Sequence, residues 1–123
     1  MPTVDLIDET YVVAAPEAVA AAVHDPARWR QWWPDLALTV FMDRGLDGIR
    51  WSVSGALNGS AELWLEPVGD GVLVHHYLRV DPPSPVRSPA RLRRRHALAW
   101  KRSVNALKDE LERGREPGLP RPA

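Results

Sequence analysis

Two histidines stand out as residues that could do chemistry. His76 shares its strand parity with Val72, Val74, Leu78 and Val80, and His96 shares a helical stripe with Leu92 and Trp100. A histidine in apolar surroundings can move a proton as general acid or base, or anchor a polar ligand atom. The plainer role is a core histidine satisfied by one hydrogen bond, and that reading comes first. His75 and His76 are neighbours on a strand and point to opposite faces, so they cannot hold one metal ion. No carboxylate lies at obvious ligand spacing, so no metal, no cofactor and no defined catalytic set is expected.

Six tryptophans accompany one phenylalanine. Trp29, Trp32 and Trp33 crowd one short segment, where they can rim a pocket, stack on a planar ligand or, more simply, pack that segment onto a sheet. Trp64 shares parity with Glu62 and Glu66, the face expected outward. There it marks a dimer contact or exposed patch, or is half-covered by its neighbours. Arg87, Arg91, Arg93, Arg94 and Arg95 gather where the last helix begins, while Asp109, Glu110 and Glu112 gather where it ends. Both placements oppose the helix dipole. They read as an anion site for a carboxylate, phosphate or acidic surface, or as a solvated face paired with sheet carboxylates.

The elements that must position these groups follow from periodicity. Val4 to Val13 alternates as a strand. Pro16 and Glu17 open a helix that Asp25-Pro26 ends. Ala27 to Trp33 forms a second short helix or turn, stopped by Pro34. Four strands follow, at Leu38 to Asp43, Ile49 to Ser54, Ser60 to Glu66 and Val72 to Asp81, joined by glycine-containing turns. Asn58-Gly59 reads as one of those turns. A strict two-residue turn there would put Trp51 and Val53 on the face of Glu62 and Trp64. The apolar pattern wants them with Leu63 and Leu65, so a longer loop or a bulge near Gly55 is expected. After a proline-rich break, Ser88 and Pro89 start a helix from about Ala90 to Arg113. Its stripe is Leu92, His96, Trp100, Val104, Leu107 and Leu111. Helices and strands do not alternate, which predicts an α+β domain with an antiparallel sheet.

Whole-chain properties narrow the function. The chain of 123 residues is the size of one domain. Sixteen basic and 16 acidic residues balance, which argues against a general nucleic-acid partner. Without cysteine there is no disulfide framework or thiolate metal site. No apolar run approaches the roughly 20 residues that insertion into a bilayer needs. Met1 to Asp8 lacks a signal-peptide pattern, so a cytoplasmic protein is expected. Residues 1–114 read as the domain and 115–123 as a Pro-rich tail.

Three stretches resemble the START-like (SRPBCC) superfamily, in its bacterial polyketide cyclase/dehydrase-like branch. They are Val12 to Val19, with its Ala-Pro helix start; Asp25-Pro26-Ala27-Arg28-Trp29-Arg30-Gln31-Trp32-Trp33-Pro34; and Gly55 to Pro67, a Gly-x-Leu-x-Gly hairpin leading into a Glu-containing strand. The resemblance covers about residues 4–113. It implies a helix-grip fold, a curved antiparallel sheet wrapped on the C-terminal helix around a cavity for lipids, polyketides or other apolar molecules. The family's sheet commonly has more strands than the five read here, so a smaller or more open cavity is expected. Trp33, Trp51, Val53, Leu63, Leu65, Val74, His76 and Leu78 would then line it, opposite His96, Trp100, Val104 and Leu107. The implied function is binding of a small apolar ligand, with cyclase- or dehydratase-like chemistry resting on His76 or His96. The alternative is a dimerising protein-interaction module with a filled core.

Overall fold

A computed structural model describes residues 2–113. Strand β1 (Val4–Val12) leads into helices α1 (Pro16–Val23) and α2 (Pro26–Trp32). Strands β2 (Leu36–Asp43), β3 (Gly48–Gly55), β4 (Asn58–Val68) and β5 (Gly71–Asp81) follow, and helix α3 (Pro89–Leu111) closes the chain. The five strands form one antiparallel sheet in the order β1-β5-β4-β3-β2. This is the α+β arrangement the periodicity predicts and the helix-grip order the resemblance implies. The domain end at residue 114 and the tail 115–123 lie outside the described residues.

Register explains how the apolar face forms. Trp51 pairs with Ala61 and Ile49 with Leu63, while Leu63 also pairs with His76 across β5. Strand β3 thus puts Ile49, Trp51 and Val53 on one face with Ala61, Leu63 and Leu65. The Asn58-Gly59 turn is not formed: both residues already belong to β4, and Gly59 pairs with Val53 and Val80. The chain reverses instead through Ala56 and Leu57, after Gly55 at φ +100°. The β3–β4 pairing ends at Val53 with Gly59, so a longer loop through Gly55 settles the parity conflict. Gly59 at φ +155° has no room for a side chain, because a Cβ would run into the Arg79 carbonyl of β5.

Helix α3 begins at Ser88, whose side chain accepts a hydrogen bond from the Arg91 N–H, with Pro89 in the first turn. Its buried residues are His96, Trp100, Val104 and Leu107, the centre of the predicted stripe, with Leu92 and Leu111 partly buried at its ends. Tertiary partners explain the carboxylates at its C-terminal end. Glu110 pairs with Arg28 of α2 at 2.7 Å. Glu112 accepts the Val13 N–H at 2.8 Å and pairs with Lys108 at 2.6 Å. These contacts anchor α3 to the chain that leaves β1. No helix among the described residues is long and apolar enough to cross a membrane.

Candidate functional site

The inner face of the sheet meets α3 and α2 in an aromatic cluster. Strand β3 supplies Trp51, β5 supplies His76, α3 supplies Trp100, and the α2 segment supplies Trp29, Trp32 and the helix-capping Trp33. Trp51 makes edge-to-face contacts with Trp29 at 5.2 Å and Trp33 at 5.4 Å. Trp33 lies parallel to Trp100 at 5.6 Å and stacks on His76 at 5.9 Å. His76 and Trp100 stack most closely, at 4.2 Å. Edge-to-face and offset contacts of this kind hold about 0.5–1.5 kcal/mol per pair beyond area burial. The Trp29-Trp32-Trp33 group thus packs the short helices onto the sheet, while Trp33 also reaches both His76 and Trp100.

Trp33, Trp51, Leu63, Leu65, Val74, His76, Leu78, His96, Trp100 and Val104 are all buried on this face. Four nitrogens within it have no partner among the described residues: both ring nitrogens of His76, Nε1 of Trp51 and Nε2 of His96. Burial pushes the His76 pKa down to about 3, with His96 reinforcing the drop and the Asp8 carboxylate opposing it. His76 is neutral at pH 7, with one ring nitrogen able to donate and one able to accept. His96 is shifted down as well, by burial first and then by Arg95, against the pull of Asp35.

No protein-family model matches the chain. No curated protein matches it either. Solved structures do. The Aha1 dimer from Colwellia psychrerythraea superposes with a TM-score of 0.66 at 17% identity, over 92% of this chain and 99% of that one. A START superfamily protein from Mycobacterium smegmatis gives 0.61 at 16% identity, over 88% of this chain and 97% of that one. DynU16, from the dynemicin biosynthetic locus, gives 0.60 at 20% identity, over 90% of this chain and 48% of that one. The fold is START-like. At these identities the likeness is one of architecture.

The START-like frame brings in residues the sequence reading passed over. Asp8 lies opposite His76 on β1, facing inward. Its carboxylate accepts hydrogen bonds from Trp100 Nε1 at 3.2 Å, Lys101 Nζ at 2.8 Å and Thr10 Oγ1 at 3.0 Å. The available signal was parity, since Asp8 and Thr10 alternate in step with Leu6 and Val12. On the outer face, His75 lies 3.0 Å from Glu66 and 3.3 Å from Glu9, although its Nδ1 is misaligned for a hydrogen bond to Glu9. It stacks on Trp64 at 4.1 Å, so Trp64 is half-covered rather than an open patch.

Two adjoining clefts lie outside the aromatic cluster. A cleft of about 400 Å³ runs between the proline-rich β5–α3 loop and the start of α3, lined by Val86, Arg87, Ser88, Arg91, Leu92 and Arg95. A neighbouring cleft of about 360 Å³ shares Val86, Leu92 and Arg95 and reaches Leu57 of the β3–β4 loop. None of the sequence-predicted wall residues lines these two clefts.

Proposed function

We propose that this START-like domain binds a small apolar, oxygenated molecule between the sheet and α3, with His76 as its polar anchor. The observation that carries the reading is the set of unpartnered nitrogens on His76 and Trp51 inside an aromatic interior. A buried donor or acceptor left without a partner costs about 1–3 kcal/mol. A core selected only for stability would place apolar side chains there. A guest with a carbonyl or hydroxyl group satisfies these atoms while its body replaces indole contacts. Trp33 is the side chain it replaces, because Trp33 stacks on both His76 and Trp100 and stands at the end of the short helix α2. A lipid- or polyketide-like molecule has this chemistry, and one fold neighbour comes from a biosynthetic locus. Any cyclase- or dehydratase-like step would use His76, whose neutral ring offers one donor and one acceptor to the guest, although burial makes it a weak base. The setting is the bacterial cytoplasm.

Native mass spectrometry of the purified protein tests this, followed by tryptophan fluorescence titration with apolar ketones and esters. A co-purified small molecule, or saturable quenching that His76→Gln weakens, is expected. A bare polypeptide mass together with unchanged emission across the series would sink the proposal.

One observation favours a second reading, a dimerising module with a filled core. Strand β2 has a free edge and exposes Val40, Phe41 and Met42 at 41%, 53% and 43%. Phe41 is the extra residue where the pairing with β3 shifts register, and the Arg50 guanidinium covers its ring at 5.2 Å. One fold neighbour is a dimer. Light scattering showing a monomer at all concentrations would remove this reading.

A further inference from the structure

The two ends of α3 break the helix-dipole rule in opposite ways, and tertiary contacts explain only one of them. At the C-terminal end, Glu110 and Glu112 have close basic or backbone partners. At the N-terminal end there is no acidic residue in the first turn. Arg87, Arg91 and Arg94 have no ion-pair partner among the described residues. Arg93 donates to the Thr3 carbonyl at 3.2 Å. Arg95 reaches Asp35 only at 3.9 Å, with both side chains largely in solvent. Asp81, the other carboxylate near the loop, is turned to the Thr3 N–H at 2.7 Å.

Three of these arginines line one cleft. Arg87, Arg91 and Arg95 recur every fourth residue, so the two helical ones share a face with Leu92 beside them. The cleft of about 400 Å³ they border continues past Val86 and Leu92 into the second one, floored by Leu57 and walled by the prolines after Asp81. One end is therefore cationic and the other apolar. Proline fixes the backbone φ along the opposing wall and leaves it few N–H donors to solvate. A slot of this shape suits a molecule with an anionic head and a hydrocarbon body. Guanidinium forks grip a carboxylate with two parallel hydrogen bonds, which a neutral head cannot match.

We infer that the rim between the β5–α3 loop and α3 is a binding site for an amphipathic carboxylate, its head against Arg91 and Arg95 and its chain over Leu57, Val86 and Leu92. The site does not depend on the interior reading, since its walls are loop and helix residues outside the aromatic cluster. It would stand even if that cluster were a closed core.

Calorimetric titration with monomeric dodecanoate and with dodecanol at low salt tests it, on the wild-type chain, the R91Q/R95Q double variant and H76Q. Dodecanoate should bind about tenfold or more tightly than dodecanol, a gap of about 1.4 kcal/mol or more. R91Q/R95Q should erase that gap while circular dichroism stays unchanged. Equal binding of the two probes, no dodecanoate binding, or an unchanged gap in R91Q/R95Q would overturn the site. A gap lost in H76Q but kept in R91Q/R95Q would also overturn it and move the carboxylate to the interior. Binding to phosphatidylglycerol vesicles without binding of monomeric dodecanoate would make the arginines a membrane-contact face instead.

Discussion

The Trp100 indole stacks on the His76 imidazole at 4.2 Å and gives its ring N–H to Asp8, the residue opposite His76 on β1. One α3 side chain thus bridges two neighbouring strands by different means, dispersion to one and a charge-assisted hydrogen bond to the other. Asp8 also takes Lys101 from the next position of α3. The aromatic interior is therefore bounded on one side by a half-buried carboxylate that acts on His76 through space.

The buried imidazole gives stability a pH dependence. The folded pKa of His76 is about 3, against 6.5 for the free side chain. Between those values the unfolded chain binds more protons than the folded one, so stability rises with pH across that window. Above pH 6.5 both states are neutral and the effect is absent. As pH falls below 6.5, His76 contributes a loss of up to about 1.4 kcal/mol per pH unit, and His96 adds a loss of the same sign. Urea unfolding at pH 7 and pH 5 should show His76→Gln with a clearly smaller drop than wild type. An identical drop in both proteins would mean that His76 takes up its proton as readily in the fold as in the unfolded chain.

Asp8→Asn removes the charge that favours protonated His76 and weakens three hydrogen bonds at once. The Lys101 pair is partly exposed, with 45% and 25% of the two side chains in solvent, so its share is small. The hydrogen bonds from Trp100 and Thr10 are better shielded. A loss of about 1–2 kcal/mol is expected from chemical denaturation. The His76 proton resonances should also stay neutral to lower pH than in wild type. A variant as stable as wild type would show that the carboxylate is solvated and not holding α3.

Much of this was legible beforehand. The stripe from Leu92 to Leu111 identified the face of α3 that meets the sheet, because a 3.6-residue period survives any tertiary arrangement. The demand that Trp51 join Leu63 predicted the loop at Gly55, since a one-residue slip inverts a whole strand. The local Asn58-Gly59 signal lost to that pairing. Asp8 was passed over because a polar residue on an apolar parity looks like noise in a single strand. Its meaning comes from Trp100 and Lys101, over 90 residues away in sequence. The contacts of Trp33 were equally hidden, because the angle at which a two-turn helix between prolines meets a sheet has no sequence signature.

On the free edge, Phe41→Lys separates stability from association. Phe41 is 53% exposed and gains little from its neighbours beyond the Arg50 contact. Folding stability should change by no more than about 0.5 kcal/mol. Aggregation on heating should fall, because a lysine on an unpaired edge discourages strand addition. A wild-type dimer that this substitution converts to monomer would assign β2 as the dimer contact. Unchanged aggregation would show that the edge is already protected by its bulge.

Trp33→Ala addresses the interior directly. The indole is 4% exposed and touches Trp32, Trp51, His76 and Trp100. Truncating a buried tryptophan costs about 3–5 kcal/mol, part of it for the cavity left behind. If the aromatic cluster is only a core, that loss is the whole effect. If Trp33 holds the place of a guest, the variant should also bind small aromatic ketones more tightly than wild type, since nothing need be displaced. Melting temperature measured with and without such a ketone reads both effects, because a ligand bound to the folded state raises it. Recovery of part of the lost stability by the ketone, blocked by adding His76→Gln, is the expected result. A destabilised variant that no apolar ketone rescues would leave Trp33 as packing alone.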